Sequence, residues 1–491
     1  MRRTLASSVG VTCAAVLALP LAPPAVAADA GPGRTAPAVT RAAMTTGSGT
    51  PGSTQSLPLQ PLEPDRAAGA ATFGLAPRSV RHFSLVGVVW DDPDAELHGR
   101  VQVRARAADT GAWSGWQDVE TRNADHAADP GTAERASGRV RGATAPLWVG
   151  GSDGVEIRVR AETGPDAEPK AGSEPTGSPA GEGGQEGAGK PAPLLPPGMR
   201  LELVDPGEDA PPEDGTAESP DENPADGPAG PAAEAPRTGA MSAEATAASA
   251  ANAPLVPLGA TGIPALTRAE TEEEYHVLRG TGTAGQQTDP HIGPRPDIVT
   301  RSGWGADESL REKTFVYTDK VGAAFVHHSD SGNNYTCAEA PSVIRSIYRY
   351  HTGSMGWRDI GYNFLVDKCG KIYEGRAGGV AHPVLGSHTL GFNNSTMGVA
   401  VLGTFDTTSP PTAPVTGVAQ LTAWKLGLHG MDPSAKTYLT SDGGNLYAKG
   451  TEVRLNVISG HRDGLNTVCP GGKFYDKLGV VRSAAAGYQG R

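Results

Sequence analysis

Aromatic residues are scarce in this chain: Phe, Tyr and Trp together make up 5% of its 491 residues. Hydrophobic residues of all kinds reach only 38%, while Gly (66) and Pro (42) are abundant. A chain of this length exceeds one ordinary core, yet this composition cannot supply a core throughout. Folded domains joined by segments that bury little are therefore expected. Basic clusters are also lacking. The net charge is −12 and no Lys/Arg run or stripe stands out. Phosphate recognition needs clustered cations, so no nucleic-acid partner is expected.

Long apolar runs are missing too, which argues against a transmembrane anchor. The N-terminus instead carries the pattern of an export signal. Arg2 and Arg3 precede a short apolar run, Val9 to Leu21, and Ala25-Val26-Ala27 offers a small-x-small cleavage site. That run is interrupted by Pro20 and is too short to span a bilayer. Residues 1–27 are therefore read as a signal peptide, and the mature chain as secreted.

Cysteine is rare, with only Cys13, Cys337, Cys369 and Cys469. Cys13 lies in the signal, which leaves an odd number for an exported protein. One disulfide plus one cysteine with another task is the simplest resolution, and metal ligation is the candidate task.

Residues 28–75 are rich in Ala, Pro, Thr and Gly and are expected to be disordered. Period-two alternation then runs through 83–90, 101–106, 155–160 and 199–203, bounded by Gly, Asp and Pro. This predicts antiparallel strands and a β-sandwich-like accessory domain over 78–206, split by a disordered Pro/Gly/Glu insert at 164–192. Trp113, Trp116 and Trp148 are expected to seed its core, at least two of them by packing. Residues 207–253 form an acidic Pro/Ala-rich linker, extended by charge repulsion.

From residue 290 to 486 the pattern is α/β. Ala323 to Val326 reads as a buried strand. Pro341 opens a helix whose Val343, Ile344, Ile347 and Tyr348 recur at helical spacing until Gly353. Strands follow at Tyr362–Asp367, at Lys371–Glu374 and around Val399. Val418, Leu421, Trp424, Lys425 and Leu428 suit a helix closed by Gly430, and Phe474, Leu478 and Val481 mark the last. A central mixed sheet flanked by helices is expected.

A catalytic zinc takes three protein ligands of the nitrogen and sulfur type and keeps a fourth position open. His327 ends a buried strand, and His461 and Cys469 stand eight positions apart in "GHRDGLNTVCPGG". A loop can bring that pair to one ion, and Cys337 and Cys369 are then left to pair with each other. Spacing alone does not establish a metal site, because a lone histidine after a strand is ordinarily structural. His327 and His328 point to opposite faces, so at most one of them faces a metal. Asp463 stands nearby, and on its "HRD" turn it suits the holding of the loop as well as a general base.

At this point the residues carry a resemblance. "TRSGWGA" (300–306), "FVHHSD" (325–330), "GWRDIGYNFLVDKCGKIYEGR" (356–376), "GSHTLGFNNSTMGVAVLG" (386–403) and "GHRDGLNTVCPG" (460–471) occur in order. Together they resemble the peptidoglycan recognition protein family, the type 2 N-acetylmuramoyl-L-alanine amidases, over a little more than a third of the chain. Region 80–205 also looks like the accessory β-domain of long actinobacterial members.

The resemblance implies Zn²⁺ held by His327, His461 and Cys469, with Tyr362 as the catalytic tyrosine and Thr467 at a second catalytic position. It implies a substrate groove touched by Gly356, Trp357, Arg376, His388 and Asn393, with Gly356, Trp357 and Arg376 pointing to diaminopimelate-type stem peptides. The implied activity is hydrolysis of the amide between N-acetylmuramic acid and L-alanine, by a monomer secreted to the cell wall. The rival readings are a non-catalytic peptidoglycan receptor and a zinc peptidase cutting within the stem peptide. Cys469 and Tyr362 favour catalysis over the receptor, and a Cys ligand where such peptidases use Asp disfavours the third.

Overall fold

The computed structural model describes residues 52–62, 72–124, 126–162, 195–208, 241–279 and 290–491. The expected signal peptide (1–27), the insert at 164–192 and most of the 207–253 linker lie outside them. Among the described residues no helix is long and apolar enough to cross a membrane.

The accessory domain is one antiparallel sheet of eight strands: β1 (Ser53–Pro58), β2 (Gln60–Pro61), β3 (Thr72–Trp90), β4 (Gly99–Ala107), β5 (Gln117–Val119), β6 (Gly142–Ala143), β7 (Leu147–Ala161) and β8 (Arg200–Asp205). The order is β1-β8-β3-β7-β4-β5, with β2 and β6 also paired to β3. Bulges in β3 between Leu75 and Leu85 shift its register against β7, and bulges of this kind bend and twist a strand. Phe83, Val86, Val101, Val103, Val155, Ile157 and Leu201 fill its core. The strand β1 falls within the 28–75 segment expected to be disordered. Its sequence STQSLP has no apolar alternation, and its order comes from a six-residue backbone ladder with β8.

Alternation predicts one wet face for β3, but residues 83–90 are buried on both. Leu85 and Val89 turn away from the accessory core and join Trp148 and Val204 in a cluster with Ile347, Tyr350 and Trp357 of the C-terminal domain. Each such side chain contributes about 1.5–3 kcal/mol on full burial, so the two domains share a core. Polar bonds reinforce the contact. The Trp148 amide donates to Ser331 O at 3.0 Å and the Tyr350 hydroxyl to Thr144 O at 3.1 Å. Of the three tryptophans expected in the accessory core, only Trp148 is buried, and it lies in this shared cluster. Trp113 and Trp116 stay partly exposed, with the Arg104 guanidinium over both rings at 5.3 Å.

The C-terminal domain is built on a mixed seven-stranded sheet: β9 (Gly262–Ile263), β10 (Ile298–Val299), β11 (Ala323–His328), β12 (Phe364–Val366), β13 (Ile372–Glu374), β14 (Thr396–Val401) and β17 (Ile458–Gly460), in the order β17-β11-β14-β12-β13-β10-β9. A separate hairpin joins β15 (Lys436–Thr440) to β16 (Glu452–Asn456). The helices are α1 (Ala243–Ala250), α2 (Arg268–Leu278), α3 (Arg301–Trp304), α4 (Ala340–Arg349), α5 (Thr412–Leu428), α6 (Gly472–Tyr475) and α7 (Leu478–Tyr488). Val418, Leu421 and Trp424 of α5 pack with Leu478 and Val481 of α7 in one core, while α4 packs in the cluster shared with the accessory domain.

Three expectations need correction here. The domain starts upstream of 290, because β9 pairs with β10. α1, capped by the Ser242 hydroxyl, lies in what reads as linker. α4 does not stop at Gly353; it continues as a π turn, Tyr350–Ser354, that carries Tyr350 and His351. The expected disulfide is present between Cys337 and Cys369, with Cα atoms 6.2 Å apart. It ties the turn before α4 to the β12–β13 turn.

Candidate metal centre

Strands β11 and β17 run parallel and adjacent, with Val326 opposite Gly460. The next residue on each is a histidine, so His327 and His461 leave neighbouring strand ends with ring centroids 4.4 Å apart. His461 opens a 3₁₀ turn, His461–Asp463. Asp463 holds that turn by accepting from the Gly460 amide at 2.9 Å and from the Tyr475 hydroxyl at 2.5 Å. The loop then returns: the Arg462 amide donates to Cys469 O at 3.0 Å. This sets the Cys469 thiol 3.7 Å from His327 Nδ1. His328 points to the other side, where its Nδ1 accepts from the Phe405 amide.

His327 and His461 are fully buried and Cys469 nearly so. Burial, and after it the rings of His461, His388 and His126, hold His327 well below the usual histidine range. The ring is therefore neutral, the form that binds a metal. A tetrahedral zinc with bonds of ~2.0–2.3 Å separates its ligand atoms by roughly 3.3–3.8 Å. The Sγ to Nδ1 distance falls in that range, so the donor set fits zinc.

His388 is expected in the substrate groove, but it stands behind His327. It is fully buried, and its Nδ1 lies 3.2 Å from His327 Nε2. It fixes the ring whose other nitrogen faces Cys469. Tyr362 lies beside the cluster, 5.5 Å from His327 between ring centroids. Thr467 Oγ1 accepts from the Cys469 amide at 3.3 Å.

The remaining groove residues are covered by the accessory domain: Trp357, Arg376 and Asn393 are buried and Gly356 is half-buried. Gly356 has φ +75°, and the Arg139 carbonyl sits where a Cβ would be, 2.0 Å from it. Trp357 is buried in the shared core, with its ring 4.5 Å from His351. Arg376 makes two 3.0 Å hydrogen bonds to Glu134. Asn393 accepts from the His388 amide at 2.7 Å through Oδ1 and donates to Asp129 at 2.7 Å through Nδ2.

One residue was not foreseen. His126, on the loop between β5 and β6 of the accessory domain, enters the cluster. Its Nε2 is 3.8 Å from Cys469 Sγ, and its ring is 4.5 Å from that of His461. Potential ligand atoms of His126, His327, His461 and Cys469 all lie within 4.8 Å of one another. Nothing in "NADHAADPG" has the periodicity of an element or the spacing of a metal motif, so no local signal marks His126. A cavity of about 550 Å³ lies elsewhere, lined by Ala248, Asn252, Trp304, Arg345 and Glu374.

A mixed sheet that places two histidines at the ends of parallel strands, with a returning loop that adds a cysteine, defines an α/β domain with a buried metal-type centre. Residues 317–472 match the family described as N-acetylmuramoyl-L-alanine amidase. Residues 37–180 match the one described as Rv3811 N-terminal galactose-binding domain-like. Peptidoglycan-recognition protein SC2 of Drosophila simulans is 30% identical over 181 residues, which are 37% of this chain and 84% of that protein. The human N-acetylmuramoyl-L-alanine amidase is 32% identical over 191 residues, 37% of this chain and 28% of that one. The structure titled Drosophila PGRP-LB wild-type aligns at 25% identity and a TM-score of 0.29, over 37% of this chain and 91% of its own. The chain belongs to the peptidoglycan recognition protein family of N-acetylmuramoyl-L-alanine amidases. Membership assigns it to the binding or cleavage of peptidoglycan.

Proposed function

We propose that the C-terminal domain is a zinc-dependent N-acetylmuramoyl-L-alanine amidase, secreted to the cell wall, that hydrolyses the amide between N-acetylmuramic acid and L-alanine. The carrying observation is the 3.7 Å approach of Cys469 Sγ to His327 Nδ1, with His461 alongside. These three residues would hold the ion. When bound, zinc supplies Lewis-acid polarisation of the scissile carbonyl and a solvent nucleophile at neutral pH.

The chain's own residues do the rest. His388 orients His327 through its Nδ1. The Tyr362 phenol stands beside the centre to donate to the oxyanion as it develops. Thr467 accepts from the Cys469 amide, which leaves its hydroxyl proton available to donate. Arg376, a fixed cation in a buried setting, receives a carboxylate of the stem peptide.

A second reading draws on a specific observation. With His126 in the cluster the donors number four, and a zinc with four protein ligands is ordinarily structural. That pattern favours a receptor that holds peptidoglycan without cutting it.

Digestion of peptidoglycan fragments by the full chain, wild type and His126→Ala, tests both by mass spectrometry of the products. The amidase yields intact stem peptides with a free L-alanine amine. Cleavage inside the stem contradicts it, and binding without cleavage by both proteins supports the receptor.

A further inference from the structure

We propose that the β5–β6 segment of the accessory domain, residues 126–141, is a built-in inhibitor of the amidase centre: His126 is a fourth protein ligand to its metal and Glu134 occupies the anion subsite at Arg376. This rests on the metal-centre reading above and extends it to the chain's own control of substrate access.

The segment is anchored at three points across the site. His126 closes the metal corner, with its Nε2 3.8 Å from Cys469 Sγ and its ring 4.5 Å from that of His461. Three residues on, the Asp129 carboxylate accepts from the Gly391 amide at 2.6 Å and from Asn393 Nδ2 at 2.7 Å. Pro130 and the left-handed Gly131 (φ +82°) then turn the chain. Glu134 reaches Arg376 with one 3.0 Å bond to each carboxylate oxygen, and also accepts from Ser387 Oγ at 2.8 Å and the Arg358 amide at 3.2 Å.

The chemistry of these contacts is that of a ligand and not of plain packing. Two parallel bonds between a guanidinium and a carboxylate, with a hydroxyl and an amide completing the lone pairs, form an anion cradle. Burial opposes the Glu134 charge, but Arg376 and the hydrogen bonds outweigh it, and the carboxyl is held below its ordinary value. An acidic group of a substrate would need the same donors. An imidazole nitrogen in a metal's fourth corner takes the position that the reaction needs for solvent.

The body of the accessory domain is pinned through Leu85, Val89 and Val204. Between the Asp129 and Glu134 anchors the segment offers the exposed Gly131 and Ala133, and of its side chains only Val140, near its end, joins the shared core. Displacement of residues 126–134 with Val140 left in place therefore opens the site at less cost than undocking the domain.

Cobalt(II)-loaded full chain tests this independently of turnover. In wild type the visible spectrum is that of a tetrahedral site, and added azide leaves it unchanged because no corner is open. His126→Ala creates an open corner, and its spectrum shifts with azide. Glu134→Gln leaves the metal donors untouched and frees Arg376; its affinity for a diaminopimelate-type muropeptide rises at least tenfold over wild type. An azide-sensitive wild type, a His126→Ala spectrum identical to wild type, or an unchanged muropeptide affinity in Glu134→Gln each overturns the proposal. If the variants open the site yet never cleave, the amidase reading fails and the segment stands as a block on ligand access. If wild type cleaves as fast as both variants, the inhibitor fails and the amidase stands.

Discussion

His327 Nε2 lies 3.2 Å from His388 Nδ1, while His327 Nδ1 faces the Cys469 thiol at 3.7 Å. The ring is thus held from behind by one group and presented to the metal corner by its other nitrogen. Partners of this kind typically hold 10–100-fold of metal affinity. His388→Ala should weaken zinc binding by that factor, read by competition with a chelator. His388→Gln, which can keep a hydrogen bond to Nε2, should recover part of it. Equal affinity in wild type and alanine variant would show that His388 does not position the ligand.

Cys337 and Cys369 close a loop with a sequence separation of 32. In the chain-entropy account a loop of this size is worth roughly 3–4 kcal/mol. The double Ser variant should lose about that much stability in urea, with the metal donors intact. A loss below about 1 kcal/mol would mean that the reduced chain is already constrained there.

How much of this was legible beforehand follows from what local pattern can encode. The run Ala323 to Val326 announced β11, and so placed His327; the pairing of Cys337 with Cys369 was within reach once Cys469 had another task. The accessory strands also showed themselves through alternation. Alternation alone could not tell that the outer face of Leu85 and Val89 would be buried, because the surface that covers it belongs to residues more than two hundred positions later. His126 was invisible for the same reason. It meets Cys469 across a sequence separation of 343, from a loop with no period to read. His388 and Asn393 were expected to touch substrate, yet one backs a ligand and the other is covered by Asp129.

Glu374 carries a pH prediction. It is fully buried; burial pushes its carboxyl up to about 7, against the hydrogen bonds from Asn252 and the charge of Arg301. The folded value lies above the ordinary 4.5, so the folded state binds more protons between those limits. Its contribution to stability therefore falls as pH rises from about 4.5 to about 7, by on the order of 3 kcal/mol. Glu374→Gln should remove that slope, so that wild type minus variant stability declines across pH 4.5–7 and is flat above. A flat difference throughout would mean that the carboxyl is ionised at its ordinary pH.

The shared core makes a further claim about domain coupling. Leu85 is fully buried between the domains, and Leu→Ala at such a site costs about 2–5 kcal/mol. Leu85→Ala should lower the stability of the whole unit by that amount, measured by calorimetry. A loss within 0.5 kcal/mol would mean that the accessory face contributes no packing there.

The central claim is that His327, His461 and Cys469 hold one zinc ion. Elemental analysis of the full chain after gel filtration in metal-free buffer tests it most directly. The account predicts one zinc per wild-type chain and less than a tenth of that in a folded Cys469→Ser variant. Equal zinc in both proteins, or none in wild type loaded with excess zinc, would contradict it.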